Sequence, residues 1–195
     1  MTENKIDMAA MVVDDPVVEE VKVDISREET IVARVTERFP YLLGTLTIQR
    51  PGRIISNPLQ REHFEEVLAY LISEQSFYTF HLVIGVDDGD DLGFIYAISN
   101  QDKIVFLLKE RAPKADPRIR SLCDIFPNAL WHERELVDLF GAVLEGLPPG
   151  PTYPLPDNWP AGNYPLRKEW NPAYFDNKTM TYNPPAPKNT EGGAE

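Results

Sequence analysis

Apolar residues first recur at helical spacing after Ser26: Ile31, Val32, Val35 and Phe39 share one face, and Pro40 ends the run. Ser26 and Glu29 have the Ser-x-x-Glu spacing of a capping box, so a helix is expected to start at Ser26. Leu43–Gln49 and Arg53–Ser56 flank Arg50-Pro51-Gly52, a turn signal that predicts a hairpin. A second helix is expected after Asn57, with Pro58 at its first position and Phe64, Val67, Leu68, Leu71 and Ile72 as its buried stripe. Phe77–Val86, Leu92–Ser99 and Lys103–Lys109 are rich in β-branched and aromatic residues. The last two are joined by Asn100-Gln101-Asp102, which predicts an antiparallel meander. Helix, two strands, helix, three strands is the order of an α+β fold: a two-layer sandwich of a mixed sheet with helices on one face. Alternating βαβ units and internal repeats are not apparent.

The pattern changes at Pro113. Asp116-Pro117 to Ser121 reads as a loop or short helix, Ile125-Phe126-Pro127 as a turn, and Ala129–Gly141 as a third helix closed by Gly141. Eleven of the 18 prolines then lie between Pro148 and Pro187, where regular structure cannot persist. The expected division is an acidic mobile extension over 1–25 with one short strand at Val17–Val23, an α+β domain over 26–146, a long extended Pro/aromatic-rich tail over 147–183, and a disordered end over 184–195.

With 195 residues and a net charge of −12, the chain suits one domain plus a tail and is a poor match for nucleic acid or anionic lipid. No apolar run approaches the roughly 18–20 residues that span a bilayer. Met1-Thr2-Glu3-Asn4-Lys5 lacks the basic and apolar stretches of a signal peptide, so a cytoplasmic protein that reaches a membrane only through partners is expected. The single cysteine, Cys123, excludes an internal disulfide and any Cys-x-x-Cys site, and reads as a small buried residue.

Chemistry-bearing motifs are few. Asp87-Asp88-Gly89-Asp90-Asp91 lacks the Glu that an EF-hand loop needs at its twelfth position, where Ile98 stands, and reads as a solvated hairpin turn. His132-Glu133 lacks the second His of a zinc-protease helix, position 136 being Leu136. Phosphate-binding glycine loops and Gly-x-Ser-x-Gly are missing from the sequence. A nucleophilic Cys123 served by His132 stays as a minor enzymatic alternative. Two segments stand out instead. In Trp131-His132-Glu133-Arg134-Glu135-Leu136-Val137-Asp138-Leu139-Phe140-Gly141, Arg134 and Asp138 lie four apart and could pair, while Leu136, Leu139 and Phe140 make the apolar stripe. In Trp159 to Trp170, with Tyr164-Pro165-Leu166-Arg167-Lys168-Glu169 inside it, large rings sit on a chain that cannot build its own core. They need a surface, either this domain's or another protein's.

Together these two segments resemble the signature of the 30-kilodalton subunit family of respiratory complex I, which shares Glu-Arg-Glu-x-x-Asp-x-x-Gly and a later Pro-Leu-Arg-Lys-Asp. The module also occurs in membrane-bound group 4 nickel–iron hydrogenases and formate hydrogenlyases. Complex I members usually carry Gly-His-Pro-Asp-Leu-Arg-Arg between the two motifs. Here Gly146-Leu147-Pro148-Pro149-Gly150-Pro151-Thr152-Tyr153-Pro154 lacks that His and the paired arginines, and is more similar to the hydrogenase versions.

The resemblance implies a non-catalytic subunit with no cofactor of its own, peripheral on the cytoplasmic side of the cell membrane. Its tail would wrap a hydrogenase-like large subunit beside an iron–sulfur small subunit. [4Fe-4S] clusters and a NiFe centre, or a quinone site, would then lie on those partners. Trp131, Glu133, Arg134, Glu135, Asp138, Phe140, Gly141, Trp159, Tyr164, Pro165, Leu166, Arg167, Lys168 and Trp170 are the expected interface or structural positions, with Arg167 and Lys168 as counter-charges to the helix acids. The 30-kilodalton subunit of a quinone-reducing complex and a maturation factor remain the alternatives.

Overall fold

A computed structural model describes residues 24–185. The expected strand at Val17–Val23 and the end beyond Pro185 lie outside the described residues.

Helix α1 spans Ser26–Arg38, but the capping box does not form. Ser26 already stands inside the first turn, and its amide donates to the Asp24 carboxylate at 3.0 Å, so the cap comes from upstream. Glu28, one residue before the expected capping glutamate, accepts from the amide of Gly52, 2.5 Å away, and is buried there. This bond seats α1 on the turn of the hairpin formed by β1 (Leu46–Arg50) and β2 (Arg53–Ser56). Gly52 takes φ +77° in that turn.

Helix α2 runs from Arg61 to Ser73, three residues later than Pro58 suggests. Leu59 explains the delay. Its amide donates to Lys109 and its carbonyl accepts from Arg111, so the backbone stays extended beside the sheet until Gln60. The expected stripe of α2 is buried at Phe64, Val67, Leu68 and Leu71.

The meander consists of β3 (Thr79–Asp87), β4 (Asp91–Ser99) and β5 (Val105–Pro113), antiparallel throughout. Strand β2 joins it by pairing parallel with β5, which gives a mixed five-stranded sheet in the order β1-β2-β5-β4-β3. Leu92, Phe94, Tyr96 and Ile98 alternate onto one face of β4 and are wholly buried under the helices. Phe64 of α2 meets Tyr96 with ring centroids 4.8 Å apart.

Arg118–Arg120 is strand β6, not a loop or helix. It pairs parallel with β7 (Val143–Glu145), directly after helix α3 (Ala129–Phe140). Gly141 closes α3 in the left-handed conformation at φ +67°. From 147 to 185 the chain has little regular structure. A 3-10 turn at Pro172–Tyr174 and the short antiparallel pair β8 (Phe175–Asp176) and β9 (Thr181–Tyr182) are its ordered pieces.

Candidate functional site

Helix α3 lies on the buried face of the sheet against β3, where Gly85 makes the approach possible. A Cβ at position 85 would meet the Phe140 ring at 2.5 Å and Leu136 at 2.9 Å. With the apolar stripe so used, the charged residues of α3 point to the chain around it.

Glu133 is 0% exposed. Its carboxylate accepts from the Ser121 hydroxyl at 2.6 Å, the Leu122 amide at 2.6 Å and the Cys123 thiol at 3.2 Å. A buried carboxylate is tolerable only when donors replace its water, and this loop supplies three. Arg134 does not pair with Asp138. Its guanidinium donates to the carbonyls of Pro148 (3.3 Å), Pro149 (3.2 Å) and Pro151 (2.6 Å), filling the space left by Gly150. Asp138 instead accepts from the Leu155 amide at 3.2 Å. The i,i+4 rule fails because peptide groups of the crossing segment offer better-placed partners than one another's charges. Glu135 is half-buried and forms no ion pair among the described residues.

The second motif crosses the C-terminal end of α3. Tyr164 lies against Gly141 so closely that a Cβ there would strike its ring. Pro165 leads into Leu166, whose amide donates to the Leu139 carbonyl at 3.1 Å. Arg167 donates through Nε to the Phe140 carbonyl at 2.6 Å and lies 4.5 Å from the Tyr164 ring centroid. A cation on the last free carbonyls of a helix complements its dipole. Arg167 thus serves the helix backbone, and Lys168 contributes its amide, not its ammonium. Neither is a counter-charge to Glu133, Glu135 or Asp138, because those carboxylates already have peptide partners or lie on other faces.

That Lys168 amide ends on Asp87, 2.8 Å away. Asp87 also takes the Lys114 ammonium at 2.7 Å and the Gly89 amide at 2.9 Å, and Lys114 goes on to Glu169 at 3.0 Å. The first aspartate of the supposedly solvated turn is therefore a buried anchor for the tail. Sequence alone hides it, since nothing in an Asp-rich turn marks which member faces inward.

Further on, Trp159, Trp170, Phe175 and Tyr182 pack on one another. Trp159 lies 4.5 Å from Phe175, and Trp170 stacks on Tyr182 at 5.7 Å. Part of the tail's aromatic surface is met within the tail itself. Left outward are Trp131, 50% exposed and edge-on to Tyr153 at 5.2 Å, and Leu166. An apolar cavity of about 410 Å³ lies between Val137, Asp138, Val143, Leu155, Trp159 and Tyr164.

Among the described residues no cluster of His, Cys, Asp and Glu could hold a metal. Cys123 is half-buried with Glu133 as its partner, and burial, with Glu133 adding to it, pushes its thiol pKa up. His132 lies edge-on to Phe80. A thiol held protonated is a poor nucleophile.

The family model described as "Respiratory-chain NADH dehydrogenase, 30 Kd subunit" matches residues 58–176, from the start of α2's approach to the aromatic tail. The chain belongs to this family. Within the 30-kilodalton family it is 33% identical to a subunit of the F(420)H(2) dehydrogenase of Methanosarcina mazei, over 77% of this chain and 94% of that protein. It is 30% identical to the beta subunit of the membrane-bound hydrogenase of Pyrococcus furiosus, over 74% of this chain and 87% of the relative. The fold is shared with a chain of the membrane-bound sulfane sulfur reductase, an archaeal respiratory membrane complex. That superposition has a TM-score of 0.64 and 24% identity, over 74% of this chain and 86% of the other. The trypsin-resistant fragment (1–134) of Nqo5 aligns with a TM-score of 0.52 and 25% identity, over 64% of this chain and 99% of the fragment.

One pH response of this 30-kilodalton-family chain follows from Asp87. Burial alone would raise its pKa, but Lys114 and the amides of Lys168 and Gly89 outweigh it and bring it to about 2, against 3.8 for the free group. A depressed carboxyl stabilises fully above its unfolded pKa and loses that contribution as pH falls through the folded one. Tail docking is therefore expected to weaken between pH 3.8 and about 2. Fluorescence of the tail tryptophans should show a transition in that window, and Asp87→Asn should remove it while weakening docking already at pH 7. A transition retained in Asp87→Asn would assign it to another group.

Proposed function

We propose that the chain is a non-catalytic, cofactor-free structural subunit of a complex I-like membrane-bound redox complex. It stabilises the module in which a hydrogenase-like large subunit meets an iron–sulfur small subunit. The observation that carries this reading is the fate of the signature charges. Glu133, Arg134, Asp138 and Arg167 all end on peptide groups or small side chains of this same chain, so four of the signature charges are engaged in building a shape. The shaped surface presents Trp131, Tyr153 and Leu166 outward, and exposed aromatic anchors are what interfaces use.

The electron-carrying [4Fe-4S] clusters and the terminal NiFe centre are assigned to the partner subunits. A group 4 [NiFe] hydrogenase is the favoured setting, supported by the Pyrococcus furiosus relative and by the segment between the two motifs. A second reading, the 30-kilodalton subunit of an F420H2- or NADH-oxidising, quinone-type complex, is favoured by the Methanosarcina mazei relative. In both, the chain sits peripherally on the cytoplasmic side, held by its partners. No described helix is long and apolar enough to cross a membrane.

Tagging the chain in its native host, extracting the membranes in mild detergent and counting metals per complex tests this. Stoichiometric recovery with a large subunit and about one nickel supports the hydrogenase setting. Iron without nickel moves the chain to the quinone-type setting, and recovery alone overturns the subunit reading. Trp131→Ala is expected to change the stability of the isolated chain by less than about 1 kcal/mol. The same substitution should lower recovery of the complex several-fold, and undiminished recovery would remove Trp131 from the interface.

A further inference from the structure

The three described α-helices lie on one face of the five-stranded sheet. Strand alternation and the observed registers place Leu82, Ile84 and Val86 of β3 on the other face. Ile95 of β4, Leu107 of β5 and Ile55 of β2 stand beside them. Among the described residues no helix covers them. Ile84, at the centre of the edge strand, is 48% exposed, whereas its neighbour Val83 on the covered face is buried.

This open face also has a sign. Lys109, Arg111 and Arg53 follow the same alternation and border the apolar band on its β5–β2 side. Arg111 pairs with Asp91 only loosely, at 4.0 Å, Lys109 has no ion pair among the described residues, and Arg53 donates through Nη1 to Gln49 at 3.4 Å. Three basic residues beside one apolar band are unexpected on a chain of net charge −12.

From this juxtaposition we infer that the open face seats an amphipathic helix of a partner subunit, with an aliphatic stripe bordered on one side by Asp or Glu. A sheet with helices on one side completes its second layer by taking a helix on the other. Four adjacent strands about 4.8 Å apart make a band of roughly 14 Å, close to the width of one helix with its side chains. Charge complementarity selects the acidic border. The inference rests on the chain being a subunit of a larger complex.

The test places a photoreactive p-benzoylphenylalanine at Ile84, or in a second variant at Ile95, in the tagged chain in its native host. The purified complex is irradiated and the cross-linked peptides are sequenced. The expected result is an adduct from both positions to one helical segment of a stoichiometric partner, with Asp or Glu along one side. Combined Lys109→Glu and Arg111→Glu substitution should cut the adduct yield at least several-fold while leaving the thermal midpoint of the isolated chain within a few degrees. Adducts to residues 1–23 of the same chain, adducts between two copies, or no adduct in a complex that is otherwise recovered would each overturn the inference. So would a yield indifferent to the charge reversal. Failure to recover any complex with the unlabelled chain would instead strike the subunit reading beneath it.

Discussion

Replacing Glu133 by alanine is expected to destabilise the fold by about 3–5 kcal/mol, because it removes charged hydrogen bonds and leaves buried donors unanswered. The Ser121 hydroxyl, the Leu122 amide and the Cys123 thiol all end on this one carboxylate. The Ser121 hydroxyl and the Leu122 amide, both on buried residues, cannot turn to water without opening the loop between β6 and α3. For a chain of this size the thermal midpoint should drop by about 10 °C. Calorimetry reads the loss, and Cys123 reports its location: without Glu133 the thiol loses both its acceptor and part of what holds its pKa up. Maleimide labelling of Cys123 should accelerate. Glu133→Gln, which keeps the shape and one acceptor, should fall between wild type and alanine. An alanine variant with an unchanged midpoint would mean that the loop finds other acceptors.

The second large effect has the opposite sign. Glu110 on β5 is 1% exposed, and its Oε2 has no partner. Close by, the Tyr96 hydroxyl is equally buried and equally unpaired. Burial raises the Glu110 pKa from 4.5 to about 8; Arg61 pulls it back, while Glu65 and Glu62 push it further up. An acid whose folded pKa is raised favours folding most below its unfolded value, and that advantage fades as pH climbs through the folded one. The wild-type chain should therefore lose stability between pH 4.5 and about 8. Glu110→Gln stays neutral throughout, so its stability should be flat over that window. At pH 9 the variant should exceed wild type by on the order of 5 kcal/mol, as the linkage of a carboxyl raised from 4.5 to about 8 requires. Urea unfolding midpoints at pH 5, 7 and 9 decide it, and parallel profiles for the two proteins would show that Glu110 ionises without cost.

These two carboxylates mark the limit of what sequence makes legible. The hairpin, the stripe of α2, the meander and the Gly141 stop are local, since period, turn residues and one left-handed glycine suffice to announce them. Arg118–Arg120 carries no such signal, because its partner lies beyond a whole helix and its three residues suit strand or loop equally. Pro58 misleads because a long-range bridge at Leu59 outweighs a good first helical residue. At the site, the family motif points to the right residues but not to their partners. Spacing pairs Arg134 with Asp138, while the fold gives each a backbone partner from the tail. Asp87 and Ser121 are invisible for a related reason: their neighbours lie far off in sequence.

The proline segment crossing α3 has a bearing on how the chain is made. Pro148, Pro149 and Pro151 have carbonyls to offer but no N–H, so they cannot fold one another. The hydrogen bonds that shape this stretch come from Arg134, and α3 has already emerged from the ribosome when these prolines follow it. Synthesis thus delivers the template before the segment that is cast on it. The last quarter of the chain thus begins on a path set by a helix made before it, and α3 shapes the surface a partner meets as much as the prolines do.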